Sequence, residues 1–97
     1  MPTYISLLRL TQQGIQNIKE APSRIDAARK AFEAVGAKLK DVYAVTGQYD
    51  YVVISEAPDD ETAARAGLAL GARGNVRSET MRAFTVEEFR RIITTLP

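Results

Sequence analysis

Apolar residues along this chain recur at a spacing of two in some stretches and of three to four in others, and the switches divide it into elements. Tyr4 to Leu10 alternates, with Tyr4, Ser6, Leu8 and Leu10 on one face and Ile5, Leu7 and Arg9 on the other, which predicts a first strand. Thr11-Gln-Gln-Gly14 ends it, and Ile15 to Glu20 has room for one or two helical turns before Ala21-Pro22, since proline disfavours helix at the residue before it. Ile25, Ala28, Phe32 and Val35 then fall on one helical stripe, with Ser23 predicted as N-cap, Asp26 as its capping-box partner and Gly36 as the left-handed stop. A second strand, about Lys38 to Val45, and a third, about Tyr49 to Ser55, flank Thr46-Gly47-Gln48, a hairpin signal in which Gly47 supplies the turn. The third is almost continuously apolar, which predicts a central strand with both faces covered and with Tyr49 and Tyr51 on the same face. Pro58, Asp59 as N-cap and acidic residues after it open a second main helix, about Asp60 to Leu70, whose inner side is Ala63, Ala66, Gly67 and Leu70, with Gly71 or Gly74 as its end. Val76 to Phe84 alternates with enough charge to predict an edge strand. Thr85-Val-Glu-Glu88 is a capping box, and Phe89, Ile92, Ile93 and Leu96 form the stripe of a terminal helix.

The order is β-α-β-β-α-β plus a closing helix, the split βαβ pattern of a ferredoxin-like α+β sandwich in one domain spanning residues 1–97. Right-handed crossovers place the first and third strands in the middle of an antiparallel four-stranded sheet, with two helices on one face. No strand offers a cleanly polar set for the other face, so a lone copy exposes a contiguous apolar patch. A second copy packed sheet to sheet is the favoured cover, and the terminal helix folded back over the sheet is the rival.

Composition then narrows the chemistry. With 13 basic and 12 acidic residues the net charge is +1, which gives no field for a nucleic-acid backbone or an anionic membrane. No apolar run reaches membrane-spanning length and the start lacks a signal-peptide pattern, so a cytoplasmic location is expected. There is no cysteine and no histidine, which removes disulfides, thiolate nucleophiles, histidine-based triads and the commonest zinc and haem ligands; no metal and no cofactor is expected. Any catalysis is left to carboxylates, Tyr, Lys, Arg or Asn.

Asp50 is expected to accept hydrogen bonds near the hairpin, and Tyr49 and Tyr51 to be core or interface residues with a hydroxyl at the margin. Arg82 stands among Val76 and Phe84, with Glu56, Glu79 or Asp50 as an internal partner or an acidic ligand as a functional one. Lys19, Arg24, Arg73 and Asn75 lie in connecting segments, where binding groups collect.

Thr46-Gly-Gln-Tyr-Asp50 followed by Tyr51-Val-Val-Ile54 resembles the Gly-x-Tyr-Asp signature of the GYD-domain family. Thr11 to Lys19, Ser23-Arg24, Glu56 to Asp60, Leu70 to Thr80 and Arg82-Ala-Phe84 extend the resemblance over nearly the whole chain. It implies a dimeric α+β barrel and brings no established biochemical role with it. The Thr-Gly-x-Tyr-Asp turn is also similar to that of the effector domains of Lrp/AsnC-type regulators, in which a helix-turn-helix domain comes first; here a strand begins at about residue 4, so DNA binding is not expected. Two functions follow. One is a homo-oligomeric module that holds a small acidic metabolite, with Tyr49, Tyr51, Arg82, Asn75 and Lys19 as ligand-binding candidates. The alternative is a cofactor-independent isomerase or oxygenase-like enzyme, with Asp50 or Glu79 as base and Arg82 as anion clamp.

Overall fold

The alternating runs form one antiparallel sheet. In the computed structural model, which describes residues 1–97, β1 (Thr3–Leu10), β2 (Lys38–Ala44), β3 (Tyr51–Glu56) and β4 (Val76–Ala83) lie in the order β2-β3-β1-β4, so the two central strands are the ones expected. Four α-helices accompany them: α1 (Gln12–Gln16), α2 (Ala21–Ala34), α3 (Asp60–Gly71) and α4 (Val86–Thr94), with a single turn of 3-10 helix at Ile18–Glu20. This is the ferredoxin-like α+β arrangement.

The register decides which side chains share a face. Tyr4 stands opposite Ser55 and Arg82, Ser6 opposite Val53 and Thr80, and Leu8 opposite Tyr51 and Ser78, all on the side of the helices. There Tyr4, Leu8, Leu39 and Val53 pack with Ala28 and Phe32 of α2 and Ala66 of α3 into the core. Ile5 with Ile54 and Met81, and Leu7 with Val52, occupy the other face, which no helix covers. Only 12 residues of the chain are buried, a thin core that leaves much apolar surface outside it.

Local chemistry sets the helix ends, with three departures from expectation. The Asp59 carboxylate accepts from the Thr62 N–H at 2.7 Å, and Gly36 takes φ +88° after α2, both as expected. Helix α2, however, starts at Ala21 rather than at Ser23, because Pro22 occupies its first turn, where a missing N–H costs nothing. Ser23 Oγ donates to the Glu20 carbonyl instead of capping, and Asp26 closes no capping box. The stop expected at Gly14 is likewise the first turn of α1, with Thr11 as its cap. Finally β3 begins at Tyr51, so Tyr49 and Tyr51 do not share a strand face: Tyr49 lies in the turn and bonds to Glu79 on the open face, whereas Tyr51 points to the helix side.

Helix α4 is built as its capping box dictates, with Thr85 N–H donating to Glu88 at 2.9 Å and Glu88 N–H donating to Thr85 Oγ1 at 3.1 Å. It buries nothing: Val86, Phe89, Ile92, Ile93 and Leu96 are all exposed, and the helix does not lie across its own sheet.

Candidate functional site

A mostly apolar concavity of about 280 Å³ lies between the helix side of the sheet and α2. Leu8, Val42, Tyr51 and Val53 line it from the sheet, Ile25 and Ala28 from α2, and Leu70 from the end of α3. Its walls are apolar because small residues in α2, Ala21, Ala27 and Ala28, leave room that larger ones would fill. At the edge the lining changes to Ser23, Arg24, Arg73 and Asn75. Pockets of this kind, apolar within and polar at a few points, are the usual form of a small-molecule site, and this one falls just below the roughly 300–1,000 Å³ range of such sites.

Segments far apart in sequence are tied together at that edge. Thr11 donates through Oγ1 to the Gly74 carbonyl (2.6 Å) and through its N–H to the Asn75 carbonyl (3.0 Å). Gln13 Nε2 donates to the Arg73 carbonyl and to Asn75 Oδ1, each at 3.1 Å. Gly14 is required here, since a Cβ at this position would collide with the Asn75 carbonyl. Arg24 reaches back from α2 and donates to the carbonyls of Asn17 (2.7 Å) and Gly14 (3.1 Å). The chain's ion pairs are Arg65 with Glu61, Arg82 with Glu88 and Arg90 with Glu87, so neither Arg24 nor Arg73 has a carboxylate partner. No acidic residue lines the cavity.

Of the residues singled out in the sequence, Tyr51 and Asn75 line this cavity together with Arg24 and Arg73. Lys19 is exposed in the 3-10 turn and is not among the lining residues. Asp50 holds the turn against the sheet: its carboxylate accepts from the Leu10 N–H and its own N–H donates to the Leu8 carbonyl, both at 2.8 Å. Glu79 is on the open face, where it accepts from the Tyr49 hydroxyl at 2.9 Å beside Arg9, whose guanidinium stacks 4.7 Å from the Tyr49 ring. That hydrogen bond holds the Tyr49 phenol above its ordinary pKa.

Arg82 stands apart from both carboxylates, on the helix side of β4. Its partner is Glu88 at 3.6 Å, a residue of α4, and its guanidinium lies 4.5 Å from the Phe84 ring. The expected partners Glu56, Glu79 and Asp50 are not used; Glu88 escaped notice because the strand leads directly into α4 and brings its first turn back to Arg82. The Thr85 N–H, with Arg82 adding to it, keeps Glu88 below the usual carboxylate pKa. Nearby, the buried Tyr4 hydroxyl donates to Asp60 at 2.6 Å, and burial together with that bond pushes its pKa up to about 12.

The geometry has counterparts among known proteins. Residues 4–93 match the family model described as the GYD domain. A protein of Thermus thermophilus named glutamine synthetase and cystathionine beta-lyase binding protein is 39% identical over 89 residues, which are 91% of this chain and 94% of that one. Among solved structures, the feast or famine regulatory protein of M. tuberculosis complexed with L-methionine aligns with TM-score 0.67 at 13% identity, over 88% of this chain. The chain spans about half the length of that regulator, 51%. The structure of TTHA0845 from Thermus thermophilus aligns with TM-score 0.57 at 26% identity over 88% of this chain and 95% of that one.

Proposed function

Given that this chain belongs to the GYD-domain family, we propose that it is a non-catalytic module that pairs with a second copy through the open sheet face and α4, and that holds a small acidic metabolite between sheet and helices. The observation that carries the pairing is the state of its two apolar surfaces. Ile5, Leu7, Val52 and Ile54 form one band across the middle of the uncovered face, with Tyr43 and Met81 beside it at 57% and 44% exposure, while the α4 stripe from Val86 to Leu96 is left exposed. A surface of this extent marks an interaction site, and a twofold axis buries the same patch on both copies at once. The face also carries both signs of charge, with Arg9 and Arg77 against Asp41 and Glu79, so that copies can meet without like-charge conflict.

The name of the 39% identical relative supports a role in binding proteins rather than in turning over a substrate, and the L-methionine in the regulator structure supports a small ligand on this fold. The carboxylates that an enzyme would use argue the same way. Asp50 is occupied by the Leu10 amide, and Glu79 and Arg82 stand on opposite faces of β4. Native mass spectrometry combined with sedimentation tests the reading: particles of twice the 10.7 kDa chain mass support it, and a single chain at all accessible concentrations refutes it.

A further inference from the structure

We infer that the cavity between the sheet and α2 takes a short aliphatic monocarboxylate that carries no amino group, with its carboxylate at Arg24 and Arg73 and its hydrocarbon chain against Leu8 and Val53. This deepens the small-acid half of the proposed function and rests on it, while remaining independent of whether the chain pairs with itself.

Three observations carry it. The first is charge: two arginines, Arg24 and Arg73, are among the lining residues, no acidic residue lines the cavity, and neither arginine is engaged in an ion pair. Arg24 is held by two backbone carbonyls, which fix its plane without neutralising it, so a carboxylate arriving there finds an oriented donor. The second is size and polarity. About 280 Å³ with an apolar wall suits a chain of a few carbons and offers nothing to a second charged group deep inside.

The third observation concerns what an amino acid would need. Its ammonium group requires a counter-charge, which the lining does not provide, and the backbone carbonyls at this edge each already accept a hydrogen bond. The carbonyls of Arg73, Gly74 and Asn75 accept from Gln13 and Thr11, and those of Gly14 and Asn17 accept from Arg24. With no lining carboxylate, an ammonium brought to this site faces two cations instead of a partner.

The test is a titration of the full chain followed by amide proton–nitrogen correlation spectra, with isocaproate, its neutral amide isocaproamide and L-leucine as probes. These share one branched carbon chain; the amide replaces the carboxylate by a neutral group, and leucine adds an α-ammonium to it. Isocaproate is expected to shift the amides of Leu8, Val53, Arg73 and Asn75, and to bind about tenfold more tightly than either other probe. Arg73→Gln is expected to bring isocaproate down to the level of the amide and to leave the amide's own affinity unchanged. The Arg73 side chain makes no hydrogen bond or ion pair, so the variant's spectrum should otherwise match the parent's. Equal affinity for acid and amide, leucine binding as well as isocaproate, shifts confined to the open sheet face, or no shifts at all would each overturn the inference. A chain that sediments singly yet binds isocaproate in this pattern would remove only the pairing; one that pairs and ignores isocaproate would remove only the ligand class.

Discussion

Helices α2 and α4 carry the same kind of apolar stripe and end in opposite surroundings. In α2, Ala28 and Phe32 are buried against Leu39 and Val53, whereas in α4 Phe89 and Ile93 remain 55% and 48% exposed despite a complete capping box. Periodicity and caps therefore decide that a segment is helical and which side is apolar; they do not decide what that side meets. The sheet repeats the contrast between its two faces. Val53 is covered by α2 within the chain, and Ile54, the next residue, has nothing over it.

The largest effect expected comes from charging these two neighbours. Val53→Asp puts an unpaired carboxylate among Leu8, Leu39 and Phe32, and is expected to cost more than about 5 kcal/mol, enough to unfold a domain at the low end of ordinary stability at any concentration. Ile54→Asp should leave the fold intact, as read by circular dichroism, and weaken self-association at least about a hundredfold in sedimentation. If Ile54→Asp unfolds the chain as Val53→Asp does, the two faces are not distinct environments.

The helices can be compared in the same way with a milder change. Phe32→Ala removes a ring from the core and is expected to lower stability by about 3–5 kcal/mol whatever the protein concentration. Phe89→Ala trims a ring that is 55% exposed in its own chain, so any loss should be largest where the protein is paired and should vanish as it is diluted below the association range. Thermal melts at several concentrations separate the two. A concentration-independent loss at Phe89 as large as that at Phe32 would mean that α4 is anchored within its own chain.

Tyr4 offers a smaller change with a sign fixed by pH. Its hydroxyl, buried and bonded to Asp60, has a pKa of about 12 against an ordinary value of 10.0, so the folded state favours the neutral phenol. The stability it contributes is fully present below pH 10 and is lost as pH rises toward 12. Tyr4→Phe should cost about 1–2 kcal/mol at neutral pH and flatten this alkaline loss, as followed by denaturant melts across that range.

Elements whose signals are local were legible in the sequence: four strands, the α2 and α3 stripes, the Asp59 cap and the Thr85 box all depend on residues within one turn of each other. What was not legible depends on meetings at long range. Tyr49 follows the strand pattern of Tyr51, but Asp50 turns inward to bond Leu8 and Leu10, and this sends the two tyrosines to opposite sides of the sheet. Arg24, Arg73 and Asn75 could be placed only in connecting segments. That they gather at one cavity edge follows from the Thr11 and Gln13 bonds across more than sixty residues of sequence, which no spacing rule reports. Pro22 misled in a different way, because the same residue stops one helix and starts the next.

The smallest expected effect sharpens the comparison of α2 with α4 most directly. Helix α2 begins without any side-chain cap and is held by its packing, while α4 buries no residue and depends on Thr85 and Glu88. Glu88 accepts from the Thr85 N–H at 2.9 Å and pairs with Arg82 at 3.6 Å, and its pKa is lowered by these groups. A carboxylate with a depressed folded pKa contributes stability that is present above its ordinary value of 4.5 and is lost as pH falls through the folded one, so acid should fray α4 before it touches α2. Glu88→Gln keeps an acceptor for Thr85 and discards the charge that Arg82 and the helix dipole favour, and should make the amides of α4 exchange faster by a small factor at neutral pH while leaving those of α2 unchanged. The same variant should respond less to acid in this segment, where the Glu87 pair with Arg90 remains. Equal changes in exchange over both helices would show that α4 shares the core's cooperativity, and an unchanged α4 would show that something other than its cap holds it.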